Sequence, residues 1–159
     1  MDLLHLRTVL GHFATGVTVI TTQDKNANPS GLTANAFTSL SLNPPLALIC
    51  VDKKAQCYSC FDESKIFAIN FLNEDQETIS RRFATKGADK FAHIEWHRSQ
   101  NGFALIDGAI GYIECKIVQS HDGGDHTIYI GEIVSATAAE GRPLLFFKGK
   151  YHRLPTNND

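Results

Sequence analysis

Six neutral hydrogen-bonding side chains, Thr33, Asn35, Thr38, Ser39, Ser41 and Asn43, stand close together in the stretch GLTANAFTSLSLNPP, from Gly31 to Pro45. Gly31, Ala34 and Ala36 space them. Small residues let a flat molecule reach the backbone, and hydroxyls and amides match a rim of ring nitrogens and carbonyls without adding charge. The stretch reads either as a shelf for a planar heteroaromatic or as a Ser/Thr/Asn-rich turn between two strands. The Pro44-Pro45 pair is expected to end any regular ladder there.

Other residues compete for a chemical role. Cys57-Tyr58-Ser59-Cys60 is a CxxC after an apolar strand, the place of a dithiol redox motif, but a thioredoxin-like fold needs parallel βαβ structure that this chain lacks. It has no second CxxC for zinc, and Cys50 and Cys115 read as strand-core residues. His93 and His97 are four apart, as on one helix face, yet the order HIEWH is not HExxH. His126 follows the turn Gly123-Gly124-Asp125 and is a titratable donor at a strand mouth. Arg81, Arg82, Lys86 and Lys90 form the basic cluster, suited to a phosphate or to solvent. GxSxG, GxGxxG and the Walker A pattern are absent from the sequence, so any nucleotide cofactor is held by another architecture.

These residues need a scaffold, and the patterning specifies one. Apolar positions between Asp2 and Ala14 recur at spacings of three and four, which predicts an amphipathic helix with Asp2 as N-cap, ended by Gly16. Val17 to Thr22 is a β-branched strand, followed by the turn DKNANPSG and a second strand from about Gly31. Leu46–Val51 and Lys65–Leu72 are short apolar runs, expected as strands covered on both faces. AQCYSCFDES and DQETISRRFA are short helices, the second placing Glu77 and Arg81 as an i, i+4 ion pair. Residues 85–105 are irregular, which suggests a loop or lid. Gly108–Val118 alternates, the turn SHDGGD links it to His126–Val134 as a hairpin, and Pro143–Tyr151 supplies a last strand. One helix followed by many antiparallel strands favours a closed barrel over a doubly wound sheet.

Bulk properties narrow the class. A chain of 159 residues with 43% hydrophobic and 20% charged residues is one globular domain with a real core. Its formal charge of -2 lacks the broad positive field of a nucleic-acid binder. No stretch reaches membrane-spanning length, MDLLHLRTVLGHF does not read as a signal peptide, and four cysteines without secretory signals suit a reducing cytoplasm.

Five segments in order carry a resemblance: FATGVTVITT (Phe13–Thr22), GLTANAFTSLSLNPP, INFL (Ile69–Leu72), GDHTIYIGEI (Gly124–Ile133) and PLLFFKGKY (Pro143–Tyr151). With them the chain resembles the short-chain flavin reductases, the small reductase components of two-component flavin monooxygenases, of the phenol and 4-hydroxyphenylacetate hydroxylase type. The match runs over nearly all of residues 1–159. It implies a mainly β fold, an FMN-binding split β-barrel of antiparallel Greek-key type with short flanking helices, working as a homodimer. It also implies an NAD(P)H:flavin oxidoreductase that reduces FMN or FAD with NADH, or NADPH, and supplies reduced flavin to a partner monooxygenase. The alternative is a flavin-binding electron-transfer protein of the same barrel without NAD(P)H turnover.

The resemblance also implies site residues. Thr33, Ala34, Asn35, Ser39, Leu40 and Ser41 would line the isoalloxazine and ribityl chain, with Cys50, Val51 and Asp52 as the neighbouring wall. Lys53, Ala55, Gln56 and Arg81, then Phe83, stand where the family grips a phosphate, and Gln56 departs from the Ser, Thr or basic residue common there. His126 would face the nicotinamide, and Tyr151 would close the pocket. No metal is implied. The flavin carries the chemistry, so the protein's task is to hold two rings at hydride-transfer distance.

Overall fold

In the computed structural model, which describes residues 1–87 and 89–155, the chain runs α1 (Leu3–Leu10), β1 (Thr15–Gly16), β2 (Thr18–Gln23), β3 (Pro29–Ala34), β4 (Phe37–Leu42), β5 (Pro45–Asp52), α2 (Tyr58–Ser64), β6 (Ile66–Phe71) and α3 (Glu77–Ala84). It continues through β7 (Trp96–Arg98), β8 (Ala104–Ile106), β9 (Gly111–Gly123), β10 (His126–Ala138), β11 (Leu145–Phe147) and β12 (Lys150–His152). No helix among the described residues is long and apolar enough to cross a membrane.

The β-branched run forms β2, between β3 and β6. On β2, Thr18 to Thr22 are all buried, because its two faces belong to two cores. Ile20 joins Ile49, Phe61, Phe67, Ile69 and Tyr129 in one, and Val19 joins Val17, Leu72, Phe83, Ile106 and Leu144 in the other. Three buried threonines would be costly without partners, and each hydroxyl donates to a carbonyl: Thr18 to Ala34 (2.6 Å), Thr21 to Ala104 (2.5 Å) and Thr22 to Ile66 (2.8 Å).

Antiparallel pairing arranges seven strands in the order β3-β2-β6-β9-β10-β5-β4. Three of these neighbour pairs, β2-β6, β6-β9 and β10-β5, are not consecutive in the chain. The two end strands, β3 and β4, are consecutive and are joined by Asn35 and Ala36, yet no ladder pairs them among the described residues. The barrel is split there rather than closed, and the polar shelf of the sequence is the chain that crosses the split.

Several elements differ from their sequence expectations. Helix α1 stops at Gly11 and not at Gly16, with Asp2 accepting the Leu4 N–H at 2.9 Å as N-cap. The proline pair does not end pairing, because it makes the turn from β4 into β5, and Leu42 faces Pro45 in the ladder. Among the described residues of 85–105 there is no free lid: β7 and β8 form a hairpin, and Phe103, Ala104, Leu105 and the following Ile106 are buried. Glu114 of the alternating strand is buried and accepts from Ser99 (3.1 Å) and Asn101 (2.9 Å) of that hairpin. The last strand is a hairpin, β11 to β12, turning at Lys148 and Gly149. Finally, β5 is covered on one face only, with Ala47, Ile49 and Val51 buried and Leu46, Leu48 and Cys50 half-buried.

Gly31 sets the spacing between β3 and α3. A Cβ there would lie 2.6 Å from the Ile20 carbonyl and 3.1 Å from the Phe83 ring. Backbone and a fully buried ring cannot yield cheaply, so Gly31→Ala is expected to destabilise the fold by about 1–3 kcal/mol, read as a lower urea midpoint with unchanged slope.

Candidate functional site

The end of β3 and the start of the crossing segment form one wall of a cleft of about 200 Å³. Thr33, Ala34 and Asn35 line it from the shelf, Ala84 from the end of α3, Val17 from beside β2, and Phe146 and Tyr151 from the β11-β12 hairpin. The lining carries no charged side chain. The Tyr151 ring meets Phe146 edge-on at 5.3 Å and carries the Arg81 guanidinium 4.8 Å from its centroid. Its hydroxyl bonds Ser80 Oγ at 2.8 Å, and the Thr33 hydroxyl donates to the Ser80 carbonyl at 2.5 Å. Shelf and cover are therefore both tied to one turn of α3.

The crossing segment also runs beside β5. The Cys50 N–H donates to the Ala36 carbonyl (3.2 Å), so the crossing segment lies against that strand. Asp52, at its end, faces His126 across the ladder. The Asp52 carboxylate accepts the Lys54 N–H at 2.8 Å, which makes it a turn-forming group. Lys53 anchors the β9-β10 turn: its N–H donates to the Asp125 carbonyl (3.0 Å), and its ammonium donates to the Gly124 carbonyl (2.7 Å) and the Asp122 carboxylate. His126 Nδ1 lies 2.7 Å from Asp125 Oδ1. The imidazole beside it holds the Asp125 carboxyl below its usual range, so the carboxylate is ionised, Nδ1–H donates to it, and Nε2 is left for another partner.

The remaining predicted residues divide by position. Gln56 Oε1 accepts the Gly87 N–H at 3.1 Å, joining the turn after β5 to the segment after α3. Arg81 is paired with Glu77 at 2.7 Å while it covers Tyr151. Val51 and Phe83 have side chains fully buried in the two cores, and Ala55 packs against the first of them, so none presents a side chain to the cleft. Ser39, Leu40 and Ser41 lie on β4, where the register slips between Ser39 and Ser41, away from the cleft lining. Sequence reading missed Ser80, Ala84, Val17 and Phe146. Gln76, Ser80 and Phe83 are buried together on one side of α3, and nothing in the sequence marks Ser80 as a partner of a residue 71 positions away.

The basic cluster is mostly committed inside the protein. Arg82 donates to the Ala92 carbonyl (2.6 Å), and Lys90 donates to the carbonyls of Gly31 (3.0 Å) and Phe83 (2.9 Å). Burial holds the Lys90 ammonium below its usual range. His93 sits in a turn with φ +59° and His97 in β7, so they do not share a helix face. A larger cavity of about 450 Å³ lies between the end of α1 and the β11-β12 turn. Arg7 and Lys148 make it cationic, and it holds none of the predicted site residues.

A planar ring with neutral hydrogen-bonding edges fits the cleft. Ala34 and Ala84 admit a flat face, Asn35 offers a donor and an acceptor, and the Thr33 oxygen keeps its acceptor capacity after donating to Ser80.

Comparison with known proteins points the same way. Residues 10–155 match the family described as flavin reductase like domain. The chain is 41% identical over 152 residues to the reductase subunit HsaB of a flavin-dependent monooxygenase from Rhodococcus jostii, covering 95% of this chain and 77% of that protein. It is 40% identical over 148 residues to the FMN reductase (NADH) SmoA of Agrobacterium fabrum, covering 93% and 84%. The structure of the Streptomyces globisporus NADH:FAD oxidoreductase SgcE6, in complex with NAD and FAD fragments, superimposes with a TM-score of 0.93 at 41% identity, covering 99% of this chain and 96% of that one.

The CxxC lacks the character of a redox centre. Burial pushes Cys57 up to about 11 and also raises Cys60, and all four thiols are free. A thiol titrating that high is protonated near neutral pH and is a poor nucleophile. Cys57 is expected to resist alkylation by iodoacetamide in the folded protein and to label once urea unfolds it, read by peptide mass mapping.

Proposed function

The chain belongs to the flavin reductase like domain family, and from that premise we propose that it oxidises NADH and transfers the hydride to FMN or FAD, supplying reduced flavin to a partner monooxygenase. The observation that carries this reading is the uncharged cleft between the Thr33–Asn35 shelf and the Tyr151 ring. A bound flavin supplies the electron-accepting ring.

The chain's own residues then have positional tasks. The shelf offers Asn35 and the Thr33 oxygen to the ring edge, while Tyr151 limits the depth of the cleft and excludes water. His126, with Nδ1 held by Asp125, presents Nε2 from the other edge of the site as a contact for the pyridine nucleotide. Lys53 serves this arrangement by pinning the turn that carries His126, and so is not free to act as a phosphate ligand. The phosphate end falls to the neutral Gln56, the Gly87 region and the exposed Lys54 and Lys86. Hydride transfer between two stacked rings needs no general acid or base from the chain.

The chain works as a homodimer. Helix α1 buries none of its residues, with Leu3 and Leu4 72% and 74% exposed, and Leu42 at the β4-β5 turn is 94% exposed. The half-covered face of β5 adds Leu46 and Leu48. Surfaces of this kind mark an interface in a stable protein, and a second copy supplies matching ones. Four free thiols and NADH as donor support a cytoplasmic location.

Anaerobic mixing with NADH and either FMN or FAD tests the activity, with loss of the visible flavin band expected. Flavin that binds but stays oxidised would leave only an electron carrier. His126→Ala is expected to raise KM for NADH about tenfold or more while the flavin dissociation constant stays within about twofold. In sedimentation the wild type is expected at twice its chain mass of 17.5 kDa, and the double variant Leu4→Glu with Leu42→Glu at the mass of one chain.

A further inference from the structure

Ser80 is fully buried, yet it carries a polar side chain. Alanine would be the better helix former at this place and would leave no buried hydroxyl to satisfy. Serine inside a helix ordinarily bonds the carbonyl four residues earlier. Here Ser80 Oγ instead reaches Tyr151 OH at 2.8 Å.

The element that carries Tyr151 needs such an attachment. Strand β12 has three residues and is the edge of a three-stranded sheet, with ladder bonds to β11 alone. Nothing in that ladder fixes the height of the Tyr151 ring above the shelf. Two adjacent residues of α3 do so, Ser80 at the hydroxyl and Arg81 over the ring face. Arg81 is solvent-facing, whereas Ser80 is shielded, so the Ser80 bond is the more selective in geometry. The same residue also grips the opposite wall, because its carbonyl accepts the Thr33 hydroxyl.

We propose that Ser80 is a positioning residue that sets the width of the flavin cleft, its hydroxyl acting through Tyr151 on one side while its backbone carbonyl holds Thr33 on the other. The proposal rests on the flavin reading given above. With the Ser80 hydroxyl present, Tyr151 is ordered before the ring enters, so binding does not have to immobilise it. Without it, the ring gains rotational freedom and its ordering is charged against flavin affinity. Loss of the Ser80 hydroxyl spares the chemistry at saturation, since that side chain does not line the cleft.

The test is a double-mutant cycle of Ser80→Ala and Tyr151→Phe, read by the flavin dissociation constant from quenching of flavin fluorescence and by kcat with saturating NADH and flavin. Each single variant is expected to weaken flavin binding about three- to tenfold, the worth of one neutral hydrogen bond, and Ser80→Ala, whose side chain is outside the cleft lining, is expected to keep kcat within about twofold of wild type. The double variant is expected to be no weaker than the worse single one. Multiplying effects in the double variant, or wild-type flavin affinity in Ser80→Ala, would overturn the proposal. A fall in thermal stability of Ser80→Ala with unchanged flavin affinity would do so too, by making its role structural only. Flavin binding is read without turnover, so a wild type that binds flavin but leaves NADH untouched would sink the reductase reading and leave this test intact. A wild type that binds neither FMN nor FAD would sink both.

Discussion

The unpaired edge between β3 and β4 is the constraint on which the rest of the molecule depends. A sheet edge exposes backbone donors and acceptors that must be paired, covered or solvated. Here β3 is covered by α3 and by the segment after it: Lys90 satisfies the Gly31 carbonyl, and Thr33 reaches the Ser80 carbonyl. The absent side chain at Gly31 permits that approach, since a Cβ would strike the Ile20 carbonyl and the Phe83 ring. Closing the barrel by pairing β3 with β4 would remove the crossing segment and with it the wall of the cleft. The site exists because the barrel stays open at one seam.

Charge is handled consistently around that seam. The cations nearest to it are already bound: Arg81 to Glu77 and the Tyr151 ring, Arg82 and Lys90 to carbonyls, Lys53 to the turn before His126. What remains facing the cleft is hydroxyl, amide, methyl and aromatic ring. Such a surface selects a neutral flat ring by shape and hydrogen bonding, and it leaves charged parts of a ligand to the rim. Surface ion pairs contribute little to stability, so the value of these pairings lies in where they keep charge away from, more than in energy.

Positioning, in this molecule, comes from contacts between elements far apart in the chain. His126 is oriented by its neighbour Asp125, but the turn holding both is anchored by Lys53. Tyr151 is anchored by Ser80, and Gln56 ties its turn to Gly87. Each of these residues is thus held by a contact from a different element, which fixes the relative placement of β5, β10, β12 and α3. The two cores on either face of β2 give these elements a rigid base.

Local pattern settled much of this from sequence. The β-branched run of β2, the Asp2 cap, the Glu77-Arg81 pair and the hairpin ending at His126 each depend on neighbours a few residues apart, where periodicity and turn chemistry act. The polar shelf was legible by composition, and the five ordered segments pointed to the flavin reductases. Tertiary structure decided what those rules cannot reach. Residues 85–105 looked irregular because β7 and β8 are only three residues each and are held by long-range bonds such as that of the Ile106 N–H to Asn70 (2.8 Å). Phe83 and Val51 went into the cores, Lys53 to a turn, and Ser80 to Tyr151, because burial and partner geometry depend on which elements meet. A sequence states what each residue can bond to, and only the packed fold determines which partner is within reach.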